Sequence, residues 1–211
     1  MKLPKRFSEK CKVLRGISQL TIDTNIAMAI QHKHISNPKT GQDITFLQTA
    51  KDTDGRLLEM EVTYNSHSRE PAAHYHPIQA EDFTVISGQL TVRVEGRLIV
   101  LRQGHTLHIP ANQVHSMWND TDHKTVVNWK VQPAMNTEHF LETVTGLAID
   151  GKTNSEGMPG ILQVCLLANR YADVFRLAKP PFGVQKILFL LLTPIAYASG
   201  YRPVYKKYIS G

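Results

Sequence analysis

His74-Tyr75-His76-Pro77-Ile78-Gln79-Ala80-Glu81-Asp82-Phe83-Thr84-Val85-Ile86-Ser87-Gly88 gathers two imidazoles, a carboxylate and a turn glycine into fifteen residues. On a strand, side chains two residues apart project to the same side at about 7 Å, so His74 and His76 can reach one ion from one strand. Glu81 follows a short bend and offers a hard oxygen. Gly88 permits the tight turn by which the chain returns as a paired strand. A second string, Gly104-His105-Thr106-Leu107-His108-Ile109-Pro110-Ala111-Asn112-Gln113-Val114-His115-Ser116-Met117-Trp118-Asn119, ends one strand at Pro110 and turns through Ala111-Asn112. It then opens another strand with His115 near its start, which supplies a third imidazole.

Around these strings, from Asp43 to about Gln132, short β-branched runs alternate with polar residues and are separated by Gly, Asn and Asp. That is the pattern of a β domain, a sandwich or a barrel. Ile44–Ala50 reads as a strand, Asp52–Gly55 as a turn and Leu57–Tyr64 as the returning strand. On that return Leu58, Met60, Val62 and Tyr64 share one face, and Glu59 and Glu61 take the other. Further strands are expected at 83–86, 90–95, 98–101, 106–109, 114–118 and 125–131. After Pro133 the period becomes helical. One helix is expected from Asn136 or Thr137 to about Leu147, a second from Pro159 to about Leu177, and a third from Phe182 to about Ser199 with a kink at Pro194. The expected organisation is a basic lead-in over 1–42, a β-barrel over 43–133 and a helical extension over 134–211.

Charge is unevenly placed. The total is +6, but residues 1–20 hold six Lys or Arg against one acid, 21–150 hold ten against fifteen, and 151–211 hold eight against two. No nucleic-acid-binding motif accompanies the basic ends, so nucleic acid is not expected as a partner. Cys11 and Cys165 belong to no spaced cluster and read as reduced thiols. The apolar run Ile26–Ile30 is too short for a signal peptide, and a cytoplasmic location is expected. Ile187–Ala198 is too short to cross a bilayer, which needs about 20 apolar residues. Packing on the barrel or across a homodimer is preferred there to peripheral membrane contact, although Lys186, Arg202, Lys206 and Lys207 flank the run.

The two strings resemble the two motifs of the cupin superfamily. The first motif has two His one residue apart, a Glu after four more and a Gly after six, matched by His74, His76, Glu81 and Gly88. The second has Gly, Pro after five, His after four and Asn after three, matched by Gly104, Pro110, His115 and Asn119. Ser68 stands where the first motif usually begins with Gly, and Asn112 where the second has Gly in its turn; Asn tolerates a left-handed backbone. The chain as a whole resembles single-domain cupins with a helical C-terminal extension, and its metal motif is similar to that of quercetin dioxygenases and germins. The resemblance implies a mainly β jelly-roll barrel, also described as a double-stranded β-helix, with C-terminal α-helices.

It also implies one divalent transition metal (Fe, Mn, Ni, Cu or Zn) on His74, His76, Glu81 and His115. Imidazole with carboxylate suits all five, and no thiolate narrows the choice. Such a ligand set leaves positions open for a substrate. A metal-dependent enzyme acting on a small organic molecule, dioxygenase-like and an oxidoreductase, is the leading expectation. Glu81 is its candidate proton acceptor. A non-catalytic binder or sensor, or an isomerase or lyase, uses the same site. By alternation Met60, Tyr64, Phe83, Val85, Met117 and Asn119 are expected around the ion, with Leu58 and Val62. His67, Tyr75, Gln79, Trp118 and Trp129 are candidates for the pocket mouth, and at most one of His105 and His108 can face inward.

Overall fold

The computed structural model describes residues 30–209. Within them the alternating region forms two antiparallel sheets. The larger runs, in spatial order, β1 (His34–Asn37), β2 (Gln42–Gln48), β3 (Leu58–Tyr64), β10 (Thr125–Gln132), β5 (Ala80–Ser87) and β8 (Thr106–Ile109). The smaller runs β11 (Arg176–Leu177), β4 (His74–Tyr75), β9 (His115–Trp118), β6 (Gln89–Val94) and β7 (Arg97–Arg102). The two sheets form a jelly-roll with helices after it: α1 (Thr137–Ile149), α2 (Ile161–Arg170), α3 (Phe182–Ala198) and the short α4 (Lys206–Ile209).

Side-chain alternation sets which face is dry. In β3, Leu58, Met60, Val62 and Tyr64 are buried while Glu61 is exposed, and in β5 Glu81, Phe83 and Val85 share the buried face. All of these buried residues but Glu81 join Ile44, Phe46, Leu90, Val92, Val127 and Val131 in the main core. Each fully buried aliphatic side chain contributes roughly 1.5–3 kcal/mol. Gly88 adopts φ +81°, and a Cβ there would lie 2.7 Å from Lys124 O, so the β5–β6 turn needs glycine for both conformation and space. Asn112 holds φ +67° in the turn before β9, while its backbone N–H and Nδ2 donate to His76 O and Pro77 O. These two long-range bonds hold Asn112 in a conformation that the usual glycine reaches freely.

The sheet begins at His34, upstream of the alternation that opens at Asp43, because β1 pairs with β2. The second helix departs most from expectation. It spans Ile161–Arg170 and does not continue to Leu177. Beyond it Val174 and Phe175 N–H groups turn back onto Tyr171 O, and Arg176–Leu177 then pair with β4 as an added strand. Ladder partners on β4 thus take the place of a last helical turn. α3 runs through Pro194 to Ala198, and among the described residues no helix is long and apolar enough to cross a membrane. Cys165 is buried with its Sγ 3.4 Å from Phe189 O; Cys11, the basic stretch 1–20 and most of the run 26–30 lie outside the described residues.

Candidate metal centre

Strand pairing brings the imidazoles together. His74 on β4 lies directly opposite His115 on β9, and His76 follows just past the end of β4. One ligand atom from each of the three lies within 4.8 Å of the others. Glu81 enters from β5 in the other sheet, so the cluster sits between the sheets.

The outer ring nitrogens decide what the inner ones can do. Nδ1 of His74 meets Ala72 O at 3.0 Å, Nδ1 of His115 meets Gln113 O at 2.9 Å, and Nδ1 of His76 meets Val174 O, 98 residues further along. A carbonyl only accepts, so each Nδ1 is assigned the proton and each Nε2 presents a lone pair. Nε2 of His76 and of His115, with Glu81 Oε2, are buried and make no hydrogen bond. Glu81 is nonetheless close, with Oε2 2.8 Å from His115 Nε2 and Oε1 3.3 Å from His76 Nε2. Proximity without a bonded hydrogen places lone pair against lone pair in a dry interior, which a cation relieves. The donor set therefore fits a single metal ion of the kind that takes imidazole and carboxylate. Trp129 Nε1 donates to Glu81 Oε1 at 3.0 Å and fixes the carboxylate.

Burial lowers His74 to about 3, helped by its neighbours His115 and His76, so its lone pair is free at neutral pH. Burial pushes the Glu81 carboxyl up, but the imidazoles of His76 and His115 outweigh this and hold it well below the usual range. For His76, burial lowers the value while Glu81 and the Val174 carbonyl raise it above normal. A proton and a metal ion thus compete for one position beside Glu81.

A cavity of about 210 Å³ opens from this cluster. His74, His76, Met117 and Trp129 form its floor, and the extension forms its roof through Phe140 and Val144 of α1, Val164 and Leu167 of α2 and the loop 156–159. Phe175 stacks on His74 with centroids 4.8 Å apart and on Phe140 at 4.8 Å, so it bridges roof and ligand. Sequence reasoning missed Phe175 and Val174 because it placed both inside a helix. No residue type could have marked Val174, since what it supplies is a backbone carbonyl.

Of the residues expected around the ion, Tyr64 and Met117 line the cavity. Met60, Phe83 and Val85 are buried but packed in the main core and are not part of the lining. Asn119 turns to the loops instead, its Nδ2 donating to Asn65 O at 3.0 Å and His123 O at 2.6 Å, carbonyls that have no strand partner. Ser68, the first departure from the motif, accepts the Asn119 N–H at 2.8 Å. Trp129 belongs to the site itself. Gln79 is buried and ties the chain to Pro133 O and Thr137 Oγ1, whereas His67, His105 and His108 are exposed. Trp118 lies under Arg93, and Tyr75 pairs with Arg176.

Residues 60–129 match the cupin-domain family model. Over 77 residues the chain is 35% identical to quercetin 2,3-dioxygenase of Bacillus subtilis, a stretch covering 36% of this chain and 23% of that protein. The chain thus spans about a quarter of the length of that curated relative. Among solved structures, a sugar phosphate isomerase of the cupin superfamily from Silicibacter pomeroyi aligns at TM-score 0.40 and 18% identity, covering 44% of this chain and 60% of that one. An RmlC-like cupin from Shewanella frigidimarina aligns at TM-score 0.43 and 17% identity, covering 53% and 94%.

Proposed function

We propose that the chain, whose residues 60–129 match the cupin-domain family model, is a metal-dependent cupin that captures a small, mostly apolar organic molecule by an oxygen atom at the metal. His74, His76 and His115 hold the ion, with Glu81 as fourth ligand. What carries this reading is one observation: buried Nε2 and Oε2 atoms without hydrogen bonds converge at the floor of an apolar cavity. When bound, a divalent transition metal supplies Lewis acidity toward a carbonyl, enolate or phenolate oxygen.

The protein's own groups do the rest. Met117, Trp129, Phe140 and Phe175 exclude water and hold the apolar body of the ligand. Tyr64 contributes a buried hydroxyl beside Gln42 that makes no well-formed hydrogen bond, a donor for a second ligand oxygen. Glu81 is steadied at Oε1 by Trp129, and its Oε2, when off the ion, would be the proton acceptor. Such a set serves reversible binding, or an isomerase- or lyase-type proton transfer that consumes no dioxygen.

A second reading, dioxygenase-like oxidation, is favoured by the local 35% identity to quercetin 2,3-dioxygenase. One experiment separates them. Metal analysis of the purified chain is expected to give one equivalent of transition metal, lost in His115→Ala. Calorimetry with diketones, flavonols and catechols is expected to show binding that disappears on chelation. Oxygen uptake with any of these compounds moves the assignment to the oxidative reading, and metal-free protein that binds the same ligands equally well removes both.

A further inference from the structure

α3 carries apolar residues on both its buried and its exposed side. Its inward side buries Gln185, Phe189 and Ala196; Phe189 O lies 3.4 Å from Cys165 Sγ of α2, and Gln185 Nε2 donates to Leu177 O of β11 at 2.8 Å. Its outward side leaves Val184, Ile187, Leu190, Leu191 and Ile195 between 52% and 74% exposed. At 3.6 residues per turn, 184, 187, 191 and 195 fall on one strip along the helix. Solvent-facing strips of soluble helices are polar, and an exposed apolar strip marks a contact surface. Nothing among the described residues covers it.

Charge identifies the occupant. From Val174 to the end of the chain there is no Asp or Glu, whereas Arg176, Lys179, Lys186, Arg202, Lys206 and Lys207 are all cationic. Lys179 and Lys186 stand exposed at the start of the strip, and Arg202 and Lys206 beyond its end. Lys207 is engaged by Asp150. Two copies meeting through α3 would bring these cations together with no acid in the segment to answer them. An anionic lipid surface answers both features, since headgroups meet Lys and Arg while the acyl boundary receives the strip. A helix of 17 residues is about 25 Å long, so it can lie in that plane without crossing the bilayer.

We infer that the outer face of α3 docks this protein on anionic membrane surfaces, one helix layer from the wall that α2 gives the cavity. The test uses the full-length chain and vesicles of phosphatidylcholine with roughly one-third phosphatidylglycerol, against phosphatidylcholine alone, at physiological salt. Co-sedimentation is expected only with the anionic vesicles and is expected to weaken as salt rises. Ile187 and Leu191 are 64% and 65% exposed, so I187E/L191E is expected to keep its thermal midpoint while losing vesicle binding at least about tenfold. K179Q/K186Q/K206Q is expected to weaken binding without changing the fold. Failure to sediment with anionic vesicles, or binding that I187E/L191E leaves intact, overturns the inference. So does a lipid-free dimer, seen by sedimentation velocity, that I187E/L191E dissociates, because the face would then belong to a second copy.

Discussion

Replacing Phe175 with alanine separates support of the metal centre from mere support of the fold. The ring is half-buried and stacks at 4.8 Å on both His74 and Phe140, with interplanar angles of 28° in each case. Full truncation of a buried Phe costs about 3–5 kcal/mol, and half-burial brings this to about 2. Each aromatic pair adds about 0.5–1.5 kcal/mol. The two contributions overlap, so the expected loss is about 3 kcal/mol, or roughly 6–12 °C in thermal midpoint for a chain of this size. His74 keeps its Nδ1 contact to Ala72 O at 3.0 Å but loses the surface that holds its ring plane. Outer-shell losses of this kind lower metal affinity about 10- to 100-fold. Chelator competition on F175A and wild type, with melting curves in metal and in chelator, measures both effects. The reasoning fails if F175A melts earlier yet binds metal within about twofold of wild type, because Phe175 would then support the roof alone.

Further expectations follow from single contacts. Trp129→Phe removes the N–H that holds Glu81 Oε1 and is expected to lower metal affinity about 10-fold or more, read by chelator competition, with the fold retained. Tyr64→Phe removes a buried hydroxyl that makes no hydrogen bond, so stability stays level or rises, while affinity for a ligand with two oxygens falls by about 1–3 kcal/mol in calorimetry. Gly88→Ala places a Cβ at φ +81° and 2.7 Å from Lys124 O; a loss of about 2–4 kcal/mol is expected in urea unfolding. Glu138, on α1, titrates at about 7 rather than 4.5, raised by burial and by Glu142 and Asp52 against the lowering N–H of Ala50. Its raised value means the folded state holds the proton longer, so its contribution is full below 4.5 and declines as pH climbs to about 7. Glu138→Gln is expected to flatten that decline, seen as a smaller difference in thermal midpoint between about pH 5 and about pH 8.

The β region was legible because its signals are local and redundant. Alternation in Leu58–Tyr64 assigns faces without any knowledge of partners, and Gly88 and Asn112 mark turns by conformations few residues adopt. The histidines were legible as a group because a period of two fixes His74 and His76 to one side, and a turn at Asn112 returns His115 beside them. Depth was less readable. Phe83 and Val85 share the inward face of Glu81, as alternation requires, yet they lie in the core, and Trp129, stacked on Phe83, lines the cavity instead. The roof was the least legible part. Tyr171–Leu177 has helix-compatible composition, and only the long-range pairing of Arg176 and Leu177 with Tyr75 and His74 turns it into a strand.

That pairing explains why the extension and the metal centre belong to one structure. β4 carries His74 on only two residues and pairs with β9 at the single position His74↔His115. A strand so short, paired once, cannot hold an imidazole in register by itself. β11 adds two more pairs on its other side, Val174 O fixes the tautomer of His76, and Ala178 N–H donates to Ala73 O. Bringing residues 174–178 back to β4 closes a loop of about 100 residues, an entropic cost that grows only slowly with length. The second core of Leu147, Leu167, Tyr171 and Val174 offsets it. Since an ion on the imidazoles requires the geometry that the docked extension maintains, binding of the ion and docking of the extension stabilise the same state, and each must strengthen the other by the same free energy.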